Sequence, residues 1–259
     1  MQRVLFHSTI FGPIHSRRLG TSLGINLSPD DGKTCTFDCL YCEAGFNSQG
    51  PGTTGIPSRG DVARMLEAKL KSMSGAGEPL DVITFSGNGE PTIHPEFPGI
   101  IDDTLRLRDQ YFPDVKVSVL SNATMLGKPD VVEALARVDN NILKLDSAID
   151  STVRQIDRPV SRSYSVAGGV DAMKQFSGSC IVQTMMLRGE YDGTPVDNTI
   201  PEELDALAAA YAAIKPREIM LYSIDRKTPA EKLVKVPKEE LERIAGFFRE
   251  KGFKVDVSA

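Results

Sequence analysis

The sequence predicts an α/β fold, a partial (βα)6 TIM-like barrel with a short N-terminal hairpin extension. Strand-like apolar runs alternate with amphipathic helical patterns six times along the 259 residues. The joints between them are short, which calls for parallel strands and right-handed crossovers. Strand alternation then favours a barrel over an open sheet. In the run 142–146, Lys144 and Asp146 share one face and Leu143 and Leu145 the other, and Gln183 points away from Val182 and Thr184. A face carrying Lys144, Asp146 and Gln183 suits a polar interior better than a packed sheet–helix layer.

Residues 1–23 read as the extension and 24–259 as the barrel of a single domain. Strands are predicted over 24–28, 82–86, 115–120, 142–146, 181–187 and 218–224, and helices over 61–73, 97–111, 129–138, 167–176 and 201–214. A last helix over 238–251 and a short strand over 254–257 follow. The helix over 201–214 is the plainest. Leu204, Leu207, Ala208, Tyr211 and Ile214 fall on one face, Pro201 suits the first turn, and Lys215-Pro216 ends it. The last helix groups Leu241, Ile244, Ala245 and Phe248, with Gly252 as its stop. Residues 46–60, rich in Gly, Pro, Ser and Thr, read as a loop.

Hydrophobic residues make up 41% and charged residues 25%, the balance of a globular chain that buries a core without disulfides. The net charge of −5 gives no overall basic field for nucleic acid. Local basic residues remain at Arg154, Arg158, Arg162, Arg226 and Lys227. The N-terminus carries no signal-peptide pattern, and no segment approaches the roughly 20 apolar residues of a membrane span. The expectation is a cytoplasmic protein with reduced thiols and no membrane contact.

Three of the four cysteines, Cys35, Cys39 and Cys42, lie within eight consecutive positions, just after the first strand. Three thiolates in a short loop hold three irons of a cubane and leave one iron open. An open iron is what binding and cleaving a substrate or cofactor requires. The competing readings are a non-catalytic electron carrier and a zinc-stabilised binding module, in which His7 or His15 would complete the ligand set.

The pattern C-x-x-x-C-x-aromatic-C, with Tyr41 as the aromatic, resembles the signature of the radical S-adenosylmethionine (radical SAM, AdoMet) superfamily. That resemblance implies an open iron chelating the amino and carboxylate groups of AdoMet, and a partial (βα)6 barrel. The run 85–92, Phe-Ser-Gly-Asn-Gly-Glu-Pro-Thr, is a glycine turn that lets backbone approach a ligand, followed by a carboxylate. It resembles the family's Gly-Gly-Glu element, which contacts the AdoMet amino group, with Asn88 in place of the first glycine. Gly87, Asn88, Gly89 and Glu90 are the candidate contacts. Ser121-Asn122-Ala123-Thr124 reads either as a helix N-cap or as the family's polar element at this strand end, with Ser121 and Asn122 on AdoMet.

Asp146 and Gln183 are candidate ribose, carboxylate or substrate contacts. Lys144 and Asp146 read equally as a structural ion pair inside the barrel. Tyr222 either lines the pocket or packs in the core. Cys180 reads as a small core residue, and His94 as a proton carrier or a loop-stabilising hydrogen bond. The runs 11–25, 33–35 and 156–159, with the Lys-Leu-Asp strand, resemble a group related to the tRNA wybutosine-synthesis radical enzymes. The extra cysteines that archaeal wybutosine enzymes carry before the signature are not present here. Arg17 and Arg18 are candidates to grip an anionic substrate group, or else pair acids across the entry hairpin. The resemblance implies one [4Fe–4S] cluster, AdoMet, and an external low-potential donor such as a flavodoxin or ferredoxin. It leaves a small molecule, a peptide or a tRNA base as the substrate.

Overall fold

A computed structural model describes residues 3–16 and 19–258. The chain opens with β1 (Ile10–Ser16) and β2 (Gly20–Ile25), an antiparallel hairpin. The cysteine loop and α1 (Arg59–Ala76) follow, then β3 (Val82–Phe85), α2 (Phe97–Tyr111), β4 (Lys116–Ser121), α3 (Pro129–Arg137) and β5 (Asn140–Lys144). Next come α4 (Asp150–Ile156), α5 (Val166–Met173), β6 (Ile181–Tyr191) and β7 (Thr194–Asp197). The chain ends with α6 (Pro201–Ile214), β8 (Glu218–Ser223), β9 (Leu233–Lys235), α7 (Lys238–Glu250) and β10 (Val255–Ser258). The strand order is β1-β2-β3-β4-β5-β6-β8-β10, and every neighbouring pair from β2 to β10 is parallel. This is the expected partial barrel with its hairpin extension.

Where elements differ from expectation, a local contact explains it. The first parallel strand stops at Ile25 because the Asn26 carboxamide accepts from the Ser28 and Asn88 N–H groups and donates to the Ser28 carbonyl, closing a turn. β6 runs on to Tyr191 because Asp192 (φ 51) and Gly193 (φ 75) make the two-residue turn into β7. α4 has 7 residues and buries Val153 and Ile156, too short a stretch for its period to show. α6 has the bounds expected of it, closed by Lys215 in the left-handed region (φ 54) before Pro216.

The outward faces of the strands, with Leu23, Ile83, Val117, Leu143 and Val182, pack on the helices in one large core. Inside the barrel, Ile142, Ile181 and Met220 plug the amino-terminal end, with Leu19 and Leu120 against them. On the wall made by β2 to β4 the buried interior side chains are small: Ser22 bonds Thr84 at 2.8 Å, and Ser118 accepts from Asn140 at 2.9 Å. Small residues on one wall and long polar ones on the other leave space at the carboxyl ends of the strands. Among the described residues no helix is long and apolar enough to cross a membrane. Arg17 and Arg18 lie outside the described residues.

Candidate active site

A cavity of about 300 Å³ opens at those carboxyl ends, and Cys35, Cys39 and Cys42 all line it. The loop that carries them is held on both sides. On one side, Leu40 N–H donates to the Ile156 carbonyl at 2.9 Å, Asp38 N–H to Asp157 at 3.0 Å, and Val160 N–H to Thr36 at 2.9 Å. On the other, Thr34 N–H donates to the Asn88 carbonyl at 3.1 Å and Glu90 N–H to the Thr34 carbonyl at 3.0 Å. Gly89 is required for this second contact. A Cβ there would sit 1.9 Å from the Thr34 carbonyl oxygen, so any other residue would push the cysteine loop away. Arg158 clamps the loop from outside. It pairs with Asp38 at 3.4 Å and lies over the rings of Phe46 and Tyr191 at 5.0 and 5.2 Å.

Glu90 forms one buried corner of the cavity. Its carboxylate accepts from Thr92 N–H (3.1 Å), Thr92 Oγ1 (2.5 Å), Ser121 Oγ (2.8 Å) and Asn122 N–H (2.6 Å). Every one of these donors is neutral. Burial raises the Glu90 pKa, opposed by the bonds from Asn122, Thr92 and Ser121. Asn122 reaches from here to the cysteine loop, its Nδ2 donating to Thr36 Oγ1 at 2.8 Å and lying 3.6 Å from Cys35 Sγ. The N-cap reading of 121–124 does not hold. α3 starts only at Pro129, with Lys128 as its cap residue.

The opposite corner is ionic. Lys144 pairs with Asp146 and, at 2.7 Å, with Asp157, and the Tyr41 hydroxyl bonds both Lys144 and Asp146. Asp146 also accepts from the Met185 N–H at 2.9 Å. Burial lifts Asp157 from 3.8 to about 7 against the pull of Lys144. Burial alone would lower the Lys144 pKa, but Asp146 and Asp157 hold it well above the ordinary value.

The structure thus brings Tyr41, Gly87, Gly89, Glu90, Ser121 and Asn122 to one cavity with the thiols. Lys144, Gln183 and Tyr222 complete its far wall. Two candidates fall elsewhere. Asn88 is fully buried, and its side chain accepts from Phe6 N–H and donates to the Phe6 and Pro29 carbonyls, tying the N-terminal segment to the loop. Asp146 is fully buried within the ion network, so the structural reading of Lys144–Asp146 is the one found. His94 stabilises its loop, with Nε2 on the Pro57 carbonyl at 2.8 Å and Nδ1 accepting from Glu96 N–H at 3.1 Å. Cys180 is a core residue with its thiol pushed up to about 11 by burial. Sequence reading missed the roles of Lys33, Asp157 and Arg158, and the cavity position of Glu43, Met185 and Asp225. The only signal for the first three was their place inside runs that carry the family resemblance.

The residues present fit a cubane cluster. All the cysteines are free. Among the described residues, no three His, Cys, Asp or Glu side chains converge to hold a single metal ion, and His7 and His15 are both exposed. Thiols spread around one cavity suit separate irons, each taking one sulfur. Burial pushes Cys35 up to about 12 and Cys39 well above its ordinary value, so iron charge is needed to make them thiolates.

Comparison with known proteins gives the family. The Radical SAM superfamily profile matches residues 31–199, more than half of the chain. A UPF0026 protein of Synechocystis is 32% identical over 86% of this chain and 78% of its own length. A UPF0026 protein of Helicobacter pylori is 28% identical over 92% and 73%. A protein of Brachyspira hyodysenteriae named GTPase Obg is 29% identical over 92% of this chain, which spans only 33% of that relative. Among solved structures, a radical SAM methyltransferase from Sphaerobacter thermophilus superposes with a TM-score of 0.67 at 16% identity, covering 92% of this chain and 65% of that one. TYW1 with a lysine–pyruvate adduct gives 0.59 at 16% identity, covering 90% and 75%. These two likenesses are of fold. The profile match and the Synechocystis relative go further: the chain belongs to the radical SAM superfamily, related over most of its length to the UPF0026 proteins.

Proposed function

We propose that this chain is an AdoMet-cleaving radical enzyme, its cluster held by Cys35, Cys39 and Cys42 and its AdoMet seated against Glu90. Held by these three thiolates, the cluster would supply one-electron reduction, and AdoMet held against Glu90 would supply the hydrogen-abstracting 5′-deoxyadenosyl group, with methionine as its co-product. The observation that carries the reading is Glu90. A buried carboxylate facing three thiols, with only neutral donors around it, is a seat for a cationic ligand group such as the AdoMet ammonium. Ser121, held by Glu90, and Asn122 offer polar contacts on the same wall, and Gln183 and Tyr222 face them across the cavity. The ion network behind Tyr41 ties the cysteine loop to β5, and its one cavity-lining charge, Lys144, is neutralised by Asp146 and Asp157. The electron donor is an external low-potential flavodoxin or ferredoxin, and the substrate a small molecule, a peptide or an RNA base. The site lies in the cytoplasm on this reading, where thiols stay reduced.

The test is anaerobic reconstitution. About four irons per chain are expected, and reductant with AdoMet should yield 5′-deoxyadenosine. Cys35→Ala, Cys39→Ala and Cys42→Ala should each lose the iron, and Cys180→Ala should keep it. Stoichiometric zinc without iron would overturn the cluster. A stable cluster that never cleaves AdoMet would make the chain an electron carrier instead.

A further inference from the structure

We propose that Lys33 is a built-in counter-charge to the cluster and favours its reduced form; this rests on the cluster assignment above. Lys33 is 3% exposed, two residues before Cys35. Its ammonium donates to the Gly45 carbonyl at 2.8 Å, and the Asp38 carboxylate oxygen on which it relies lies 3.5 Å away. That same oxygen already accepts from the Asn47 N–H at 2.6 Å, and the other oxygen of Asp38 faces Arg158 at 3.4 Å. A buried ammonium with one neutral acceptor and one shared carboxylate is under-compensated by the protein. The loop wraps the ammonium rather than releasing it to solvent: Lys33 N–H meets the Gly50 carbonyl at 3.3 Å, and Gly45, its own acceptor, is turned back onto Cys42 at 2.9 Å.

The missing counter-charge is the cluster. Three thiolates on a cubane carry net negative charge, and one-electron reduction adds one more. The electron comes from a low-potential flavin or iron–sulfur protein, or from dithionite in the tube. No proton is taken up, because the ammonium is charged before and after. A fixed positive charge beside the site stabilises the reduced state more than the oxidised one. Lys33 is a positioned charge, not a group that touches substrate.

The experiment uses the full chain, reconstituted without AdoMet, with iron assayed first and the potential then read by EPR-monitored redox titration. Lys33→Met and Lys33→Gln remove the charge, and Lys33→Arg keeps it. Both neutral variants should lower the reduced-to-oxidised ratio at a fixed potential about tenfold, about 59 mV for a one-electron couple. Lys33→Arg should stay near the parent value. A loosened loop would expose the cluster and raise the potential, so the sign separates charge from disorder. An unchanged or raised potential in the neutral variants overturns the proposal, as does loss of iron in all three variants, which would make Lys33 a folding residue. A parent protein that takes up no cluster instead defeats the cluster assignment itself.

Discussion

The two buried carboxylate corners flanking the cysteine loop solve the same problem in opposite ways. Glu90 is held by backbone and hydroxyl donors, all neutral, and faces the cavity. Asp146 and Asp157 are held by one ammonium, with Tyr41 closing the set, and Asp146 is wholly buried. A carboxylate satisfied by neutral donors keeps its charge available to an incoming cation. One neutralised by an internal lysine does not. Position in a barrel therefore does not decide whether a buried acid is left without a cationic partner; the side chains brought around it do.

The largest effect should come from breaking the ionic corner. Lys144→Met leaves two buried carboxylates uncompensated and should cost about 3–5 kcal/mol in denaturation of the apo chain. Adding Asp157→Asn to it should recover part of that loss. A loss below about 1 kcal/mol would show that the network is solvated and the contrast false.

Glu90→Gln should do the reverse. The amide leaves the Asn122 N–H facing another donor, a cost partly offset by removing a buried charge, so stability falls less than in Lys144→Met. AdoMet affinity should fall at least tenfold, in keeping with about 1.5–3 kcal/mol for a hydrogen bond to a charged group. Iron content should not change. Equal AdoMet binding by this variant, followed by calorimetry, would remove Glu90 from the site.

A titration sharpens the comparison further. The folded Asp157 carboxyl is raised from 3.8 to about 7. Its contribution to stability is full below the unfolded value and is lost as pH rises through about 7. The apo chain should lose stability from this group between those limits, and Asp157→Asn should flatten that slope. The same slope in both proteins would place the raised carboxyl elsewhere.

The smallest effect is expected at Asn88. Asn88→Ala should cost about 1 kcal/mol and speed amide exchange at Phe6, whose N–H it accepts. AdoMet affinity should stay within about twofold, since the side chain points away from the cavity; a larger loss would restore Asn88 to the ligand site.

How much of this was legible in the sequence follows the range of the interactions. Hydrophobic period and helix stops fixed α2 and α6 to the residue, because both signals act within a turn or two of the chain. Period-two alternation on β5 and β6 correctly turned Lys144 and Gln183 inward. It also placed Asp146 on the Lys144 face, where its carboxylate pairs with the Lys144 ammonium and the Tyr41 hydroxyl and is fully buried, although it lies past the last residue of β5. The hairpin of β6 and β7 escaped notice although Asp192-Gly193 is a strong turn signal.

By itself, the sequence determined the six alternating strand–helix units, the cysteine loop just after the first parallel strand, and the small set of polar residues that could reach it. Those properties are written in spacings of two to seven residues. Tertiary structure alone decided which polar groups neutralise one another. Tyr41 meets Asp146 across 105 positions of sequence, Asn122 meets the cysteine loop across 86, and Glu90 meets Asn122 across 32. The physical reason is that a buried charge takes its character from whatever barrel closure brings within hydrogen-bond reach, and closure is set by the packing of all the strands together.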